Sequence, residues 1–347
     1  MKWGHGGDLT GYELEYGRPP LDFSANICPT GCPENIRRAA AAALEDCAAY
    51  PDPFCRELRN RLSDELSIPA EFILCGNGAS DLIYRLALAL KPERALITAP
   101  AFSEYRAALE TVGCLTDSYM LDEKNDFSLT EEFTDHITPD IDVVFLCQPN
   151  NPTGKTIDPG LLKRIAEKCH TSGCMLVVDE CFLDFLDDPE HYSLLPELKE
   201  YPVVLLRAFT KFYGMAGIRL GYCISADALL LSKMAACGPP WTVSSAAQAA
   251  GIAALEDREF PQQIRKLIKA QRNYLRNGLI SAGFRVVEGE ANFLLFYGDE
   301  NLGERLKNRG ILIRDCRDFE GLPPGWYRIA VKTAPDNERL IETLRML

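Results

Sequence analysis

Apolar residues in this chain recur at two spacings. Leu58, Leu62 and Leu66 fall at every fourth position, as do Leu82, Leu86 and Leu90, and each set predicts a helix with one buried stripe. Between such stretches stand short, nearly continuous apolar runs at 72–75, 95–98, 143–147, 175–178 and 203–206. Runs of that length with no polar alternation belong to strands covered on both faces. A glycine turn, Gly76-Asn77-Gly78-Ala79-Ser80, follows the first run, and helical patterns at 103–112 and 159–170 separate later ones. Strand, turn, helix and strand in that order predict an α/β domain with a mainly parallel sheet and helices on both faces.

The pattern changes beyond residue 240. Two long helices are predicted at 241–255 and 260–282, then strands at 292–297, 311–314 and 326–331, then a closing helix at 337–347. This is the outline of a smaller α+β domain with a mixed sheet. The first thirty-odd residues are rich in glycine and proline and read as an ordered arm that completes it. An alanine-rich helix at 34–44 and a turn at Tyr50-Pro51-Asp52-Pro53 lead into the large domain. The expected division is an arm with part of the small domain at 1–45, a large domain at 46–255 and a small domain at 256–347.

Composition narrows the partners. Of 347 residues 47% are hydrophobic, enough for two separate cores. Fifty acidic against thirty-seven basic residues leave a net charge of −13, which repels nucleic acid and anionic membrane. A local cluster of arginines can still favour a small anionic substrate. Thirteen cysteines without a CxxC pair, and four scattered histidines, predict neither a disulfide framework nor a metal site. A reducing, cytoplasmic setting is expected, with no leader segment or membrane span.

The candidate chemistry lies at the ends of the predicted strands, where ligands of such sheets collect. Lys211 follows the run at 203–206, and an amine set among buried strands is pushed toward its neutral, nucleophilic form. A lone lysine is also what a surface loop carries. Asp179 closes the run at 175–178 and reads either as a helix cap or ion-pair partner, or as a carboxylate facing a cofactor. The amides of Gly78, Ala79 and Ser80 could receive a phosphate at a helix start. Thr210 and Arg219 bracket Lys211 and could add a hydroxyl and a guanidinium. Phe102 reads equally as a core aromatic, and Tyr50 as a turn residue.

These stretches, with Gln148-Pro149-Asn150-Asn151-Pro152-Thr153-Gly154, resemble the pyridoxal-phosphate enzymes of the aspartate aminotransferase fold, fold type I, whose large domain carries a seven-stranded sheet. The resemblance implies pyridoxal 5'-phosphate held covalently by Lys211. It further implies Asp179 at the ring nitrogen, Asn151 at the phenolic oxygen and Phe102 on the ring face. The phosphate would go to Gly78, Ala79, Ser80, Thr210 and Arg219, with Tyr50 reaching it from a second subunit of a homodimer.

Within that fold the chain is similar to the threonine-phosphate decarboxylases of cobalamin biosynthesis nearly end to end. The motifs that carry this are His5-Gly6-Gly7, Leu21-Asp22-Phe23-Ser24-Ala25-Asn26, Thr210-Lys211-Phe212-Tyr213, Arg219-Leu220-Gly221-Tyr222, Pro240-Trp241, Ile311-Leu312-Ile313-Arg314 and Tyr327-Arg328. The reaction so implied is decarboxylation of L-threonine O-3-phosphate to (R)-1-amino-2-propanol O-2-phosphate. His5, Gly6, Asn26, Asn151, Arg314 and Arg328 would hold the substrate. Each of these also has a plain reading, as chain terminus, turn residue or strand-end cation.

Phe182, beside the cofactor, lacks the hydroxyl that the related histidinol-phosphate aminotransferases carry there. Ala208 and Asp8 depart from the decarboxylase pattern, which has serine and asparagine at those places. Histidinol-phosphate-type aminotransfer is the alternative, and decarboxylation of serine phosphate to ethanolamine phosphate a near variant. Those two phosphates differ by one methyl, a discrimination of about 1–3 kcal/mol.

Overall fold

The computed structural model describes residues 6–347. In chain order the strands among them are β1 (Leu21–Asp22), β2 (Ile73–Gly76), β3 (Arg94–Ala99), β4 (Leu115–Met120), β5 (Val143–Cys147), β6 (Met175–Asp179) and β7 (Val203–Ala208). They continue with β8 (Gly221–Ile224), β9 (Arg285–Val286), β10 (Phe293–Tyr297), β11 (Ile311–Leu312), β12 (Arg314–Asp315) and β13 (Trp326–Ala330).

The continuous apolar runs become the centre of a seven-stranded sheet in the order β2-β8-β7-β6-β5-β3-β4. Only β8 runs against its neighbours; β7, β6, β5, β3 and β4 pair in parallel. Every residue of β5 is buried, as are all of β6 after Met175. Such strands can carry only apolar side chains except where a ligand or a partner meets a polar one. Two apolar cores cover the two faces: one includes Leu58, Leu62, Ile165, Leu176 and Leu205, the other Leu82, Leu86, Leu109, Val177 and Leu206.

The covering helices follow local chemistry. The helix Pro159–Ser172 opens with Asp158 accepting from the Leu161 amide at 2.9 Å, has proline in its first turn, and stops at Gly173 with φ +75°. Ser244 caps the helix Ser245–Glu256 through the Ala247 amide at 3.1 Å.

A further core gathers around Phe293, Phe296, Ile268, Leu279 and Leu340, under a four-stranded antiparallel sheet, β12-β13-β10-β9. The expected mixed sheet is thus two pieces, because the single strand predicted at 311–314 is broken at Ile313. Its first half, β11, pairs in parallel with β1 of the arm; its second half, β12, pairs with β13.

Other expectations also shift. Trp241 has φ +57° and lies in a turn, so the helix predicted from 241 begins after Ser244. The last helix starts earlier than predicted, at Ala334, because Pro335 is tolerated in a first turn where no intrahelical amide is required. β4 has no apolar run to announce it; it is an edge strand of intermediate exposure.

Side chains alternate across the sheet, so Asp179 with its cross-strand partner Leu206, and Glu180 with Arg207, belong to opposite faces. Glu180 is fully buried. It receives Arg207 Nε at 2.8 Å, Ser193 Oγ at 2.9 Å and the Leu194 amide at 3.2 Å. Removing one partner of such a pair strands the other charge. Arg207→Met is therefore expected to lower unfolding stability by about 3–5 kcal/mol in urea titrations. Combining it with Glu180→Leu should recover most of that loss.

Candidate functional site

Five strands run the same way through this part of the sheet, and the residues singled out in the sequence follow their carboxyl ends. The turn after β2 carries Gly78, the segment after β3 carries Phe102, that after β5 carries Asn151, β6 ends in Asp179, and β7 delivers Lys211 on the short helix Phe209–Phe212.

Asp179 is 5% exposed. Its Oδ1 accepts from the Cys181 amide at 3.0 Å and its Oδ2 from the Tyr105 hydroxyl at 2.6 Å. The thiols of Cys147 and Cys181 lie close by, and burial together with the Asp179 charge pushes both well above the usual range, so both stay neutral. No lysine or arginine among the described residues forms an ion pair with this carboxylate. A buried carboxylate with two neutral donors leaves room for one cation, which suits a protonated ring nitrogen.

Lys211 is half-buried. Burial, and next the Arg328 charge, push its amine down to about 8. Its carbonyl accepts from the Cys28 amide at 2.9 Å, which ties the arm to the lysine turn.

The glycine turn fits a phosphate. Gly78 caps the helix Ala79–Leu90 with φ +82° and no side-chain hydrogen bond, so the first amides stay free of a side-chain cap. A Cβ at Gly78 would stand 2.5 Å from Arg219 Nη2, so the guanidinium lies directly against the backbone here. Arg219 itself has φ +64° and reaches the carbonyls of Ala216 and Asn77 at 3.3 and 3.4 Å. The hydroxyls of Ser80 and Thr210 have no hydrogen-bond partner among the described residues.

On the other side, Arg328 is buried and donates to Asn151 Oδ1 and, at 3.1 Å, to the Ser24 carbonyl. Burial pushes its guanidinium down to about 10, with the Arg314 charge adding to the fall. Arg328 and Arg314 are cross-strand partners in β13 and β12. Arg314 is held by Asp318 at 2.7 and 2.8 Å.

Asn26 is buried with its Oδ1 unpartnered, and its carbonyl accepts from Asn292 at 3.2 Å. Gly6 packs so closely that a Cβ would meet the Ser24 carbonyl at 2.3 Å. Phe182 is buried and meets Phe293 edge-on at 5.0 Å, which keeps that wall free of hydroxyls. A protein of net charge −13 thus concentrates Lys211, Arg219, Arg314 and Arg328 around one place.

Three sequence candidates stand apart. His5 lies outside the described residues. Tyr50 is 78% exposed and stacks on Trp241 with ring centroids 4.3 Å apart. Asp8 caps the helix Leu9–Tyr16 through the Gly11 amide at 2.9 Å, so its carboxylate is turned to the helix. Sequence pattern does not reveal Tyr105: it stands between Glu104 and Arg106 in the first turn of the helix Glu104–Glu110, and its partner is 74 residues away. A cavity of about 550 Å³ opens on the opposite face of the sheet edge, walled by Asp184, Arg207, Tyr213, Tyr222 and Arg265; Lys211 does not line it.

Comparison with known proteins adds three findings. Residues 18–344 match the family model described as aminotransferase class I and II. The chain is 37% identical to the threonine-phosphate decarboxylase of Salmonella typhimurium over 98% of its own length and 95% of the relative's. Among solved structures it superposes on the histidinol-phosphate aminotransferase from Clostridium acetobutylicum with TM-score 0.88 and 30% identity, covering 94% of this chain and 98% of that one. For the L-threonine-O-3-phosphate decarboxylase from Porphyromonas gingivalis the values are 0.81, 24%, 94% and 98%, which is a likeness of fold.

An amine whose pKa is lowered to about 8 becomes nucleophilic two decades of proton concentration earlier than free lysine. The rate at which cofactor-free protein captures pyridoxal phosphate should therefore rise with pH and level off above about 8. Stopped-flow absorbance across that interval checks it; a rise centred near 10 would place the amine in water.

Proposed function

The chain belongs to the class I and II aminotransferase family, and on that footing we propose that it decarboxylates L-threonine O-3-phosphate to (R)-1-amino-2-propanol O-2-phosphate for cobalamin synthesis. Its cofactor is pyridoxal 5'-phosphate. When bound, that group supplies an aldehyde that bonds amines and a ring that takes up an electron pair. The observation that supports the substrate class is the pair Arg314 and Arg328, set side by side across β12 and β13 beside the softened amine of Lys211.

A phosphorylated amino acid carries two anionic groups, and two guanidiniums can match them with charge-assisted hydrogen bonds. Asp318 holds Arg314 until an anion competes for it. Arg328 also fixes the Asn151 amide by donating to its Oδ1, which leaves the amide nitrogen to face the cofactor oxygen. Gly78, Ala79, Ser80, Thr210 and Arg219 would hold the phosphate of the cofactor, and Phe102 would cover its ring.

Which bond at the substrate's α-carbon breaks depends on which one stands perpendicular to the ring, and the arginines, Asn26, Gly6 and His5 set that by gripping the anionic groups. Asp179 would face the ring nitrogen of the cofactor and balance its positive charge. Lys211 Nζ, lowered to about 8, still carries its proton in most molecules at neutral pH, so that Lys211, or else water, would return a proton to the α-carbon. Phe182 places no hydroxyl beside the cofactor oxygen, which favours this reading over aminotransfer.

The proposal extends to assembly. Residues 46–255 form the large domain, and 256–347 with the arm 1–45 form the small one. Tyr50 and Trp241 present a stacked aromatic surface to a second copy of the chain, making a cytoplasmic homodimer in which Tyr50 reaches the neighbour's phosphate.

Incubation with threonine phosphate and no keto acid should release carbon dioxide and the amino-alcohol phosphate. Dependence on 2-oxoglutarate would establish aminotransfer instead, and preference for serine phosphate would shift the substrate by one methyl. Lys211→Ala should lose both turnover and the yellow absorbance of the bound cofactor near about 420 nm.

A further inference from the structure

We propose that Tyr105 is a positioning residue for the cofactor, setting the ring-nitrogen acceptor and the ring-face plate together from one side chain. The inference rests on the cofactor reading and is independent of which bond is broken.

Two contacts carry it. The Tyr105 hydroxyl donates to Asp179 Oδ2 at 2.6 Å, and the Tyr105 ring meets Phe102 edge-to-face with centroids 5.7 Å apart and planes at 83°. Behind both, the ring is stacked on Phe145 at 5.3 Å, so a strand of the central sheet backs it. Tyr105 is fully buried. Burial, reinforced by the Asp179 charge, pushes its phenol well above the usual range, and it therefore remains an O–H donor at any working pH.

A carboxylate can rotate about its last bond, and each of its oxygens has two acceptor directions. The Cys181 amide takes one direction of Oδ1 and Tyr105 one direction of Oδ2, and those two bonds fix the carboxylate plane. The directions that remain are the ones offered to a ligand. Without the phenol, Asp179 Oδ2 loses its donor, and the carboxylate is left with Cys181 alone, through its amide at 3.0 Å and its thiol, so its plane is less firmly set. The same side chain limits the tilt of Phe102, because the edge of one aromatic ring against the face of another has a preferred geometry. One residue thus couples two contacts that would otherwise depend on separate loops after β3 and β6.

The variant Tyr105→Phe keeps the ring and its stacking on Phe145 and removes only the hydroxyl. Titration of cofactor-free protein with pyridoxal phosphate, followed by absorbance and by visible circular dichroism, is expected to show about tenfold weaker binding. That is the size of one hydrogen bond to a charged group. The dichroic band of the bound cofactor is expected to shrink as the ring loses its fixed orientation.

In an Asp179→Asn background the same change should produce no further loss, since the hydroxyl acts through the carboxylate. Affinity and dichroism equal to wild type, with only a lower melting temperature, would overturn the proposal and leave Tyr105 as a packing residue. An equal loss in both backgrounds would overturn it too. Failure of the wild-type protein to bind pyridoxal phosphate would instead remove the cofactor reading on which it stands.

Discussion

A carboxylate withdrawn from water at the end of a central strand calls for a positive charge, and Asp179 forms no direct ion pair with any described side chain, although the Lys211 amine feels its charge. It receives a phenol, a backbone amide and the company of two neutral thiols. Hydrogen bonds lower the cost of burying the group without cancelling its charge. The remaining charge suits a ligand that brings a cationic ring atom, as the proposed function requires. The lysine, the glycine turn and the arginines take their proposed roles from standing around that point.

Economy at the strand ends follows from the pleat. Asp179 and Glu180 are consecutive, as are Leu206 and Arg207, yet the first of each pair faces the site's side of the sheet and the second the opposite side. Glu180 and Arg207 close an ion pair with Ser193 there, under the turn that carries Lys211. One residue step separates a group kept free for a ligand from a group locked into the fold. The lock holds two strand ends in register, and the site gains a rigid floor.

How much of this could be read from the chain depends on the range of the interaction. The parallel sheet, its helices and the strand-end position of Lys211, Asp179, Asn151 and Gly78 follow from local pattern, because period and turn chemistry act within a few residues. Strand β4 escaped, since an edge strand half-open to solvent carries no apolar run. Trp241 escaped because a positive φ at a bulky residue leaves no mark on composition. Tyr105 escaped for a deeper reason. A tyrosine between Glu104 and Arg106 looks like the buried position of any helix, and only the folded sheet brings its hydroxyl to Asp179. The arginines were legible as strand-end cations, but their mutual adjacency belongs to the pairing of β12 with β13.

Strand β1 is two residues long, and its partner β11 lies near the other terminus, with Leu21 opposite Ile311. The arm that it anchors goes on to bond the carbonyl of Lys211 through Cys28. This pairing joins two stretches separated by most of the sequence. Contacts of such long sequence separation carry a high loop-closure cost, and the wall built by the arm rests on them. The proposed pocket therefore depends on two distant stretches at once: without the segment that holds β11 and β12, the arm loses its partner strand and Arg328 its cross-strand neighbour.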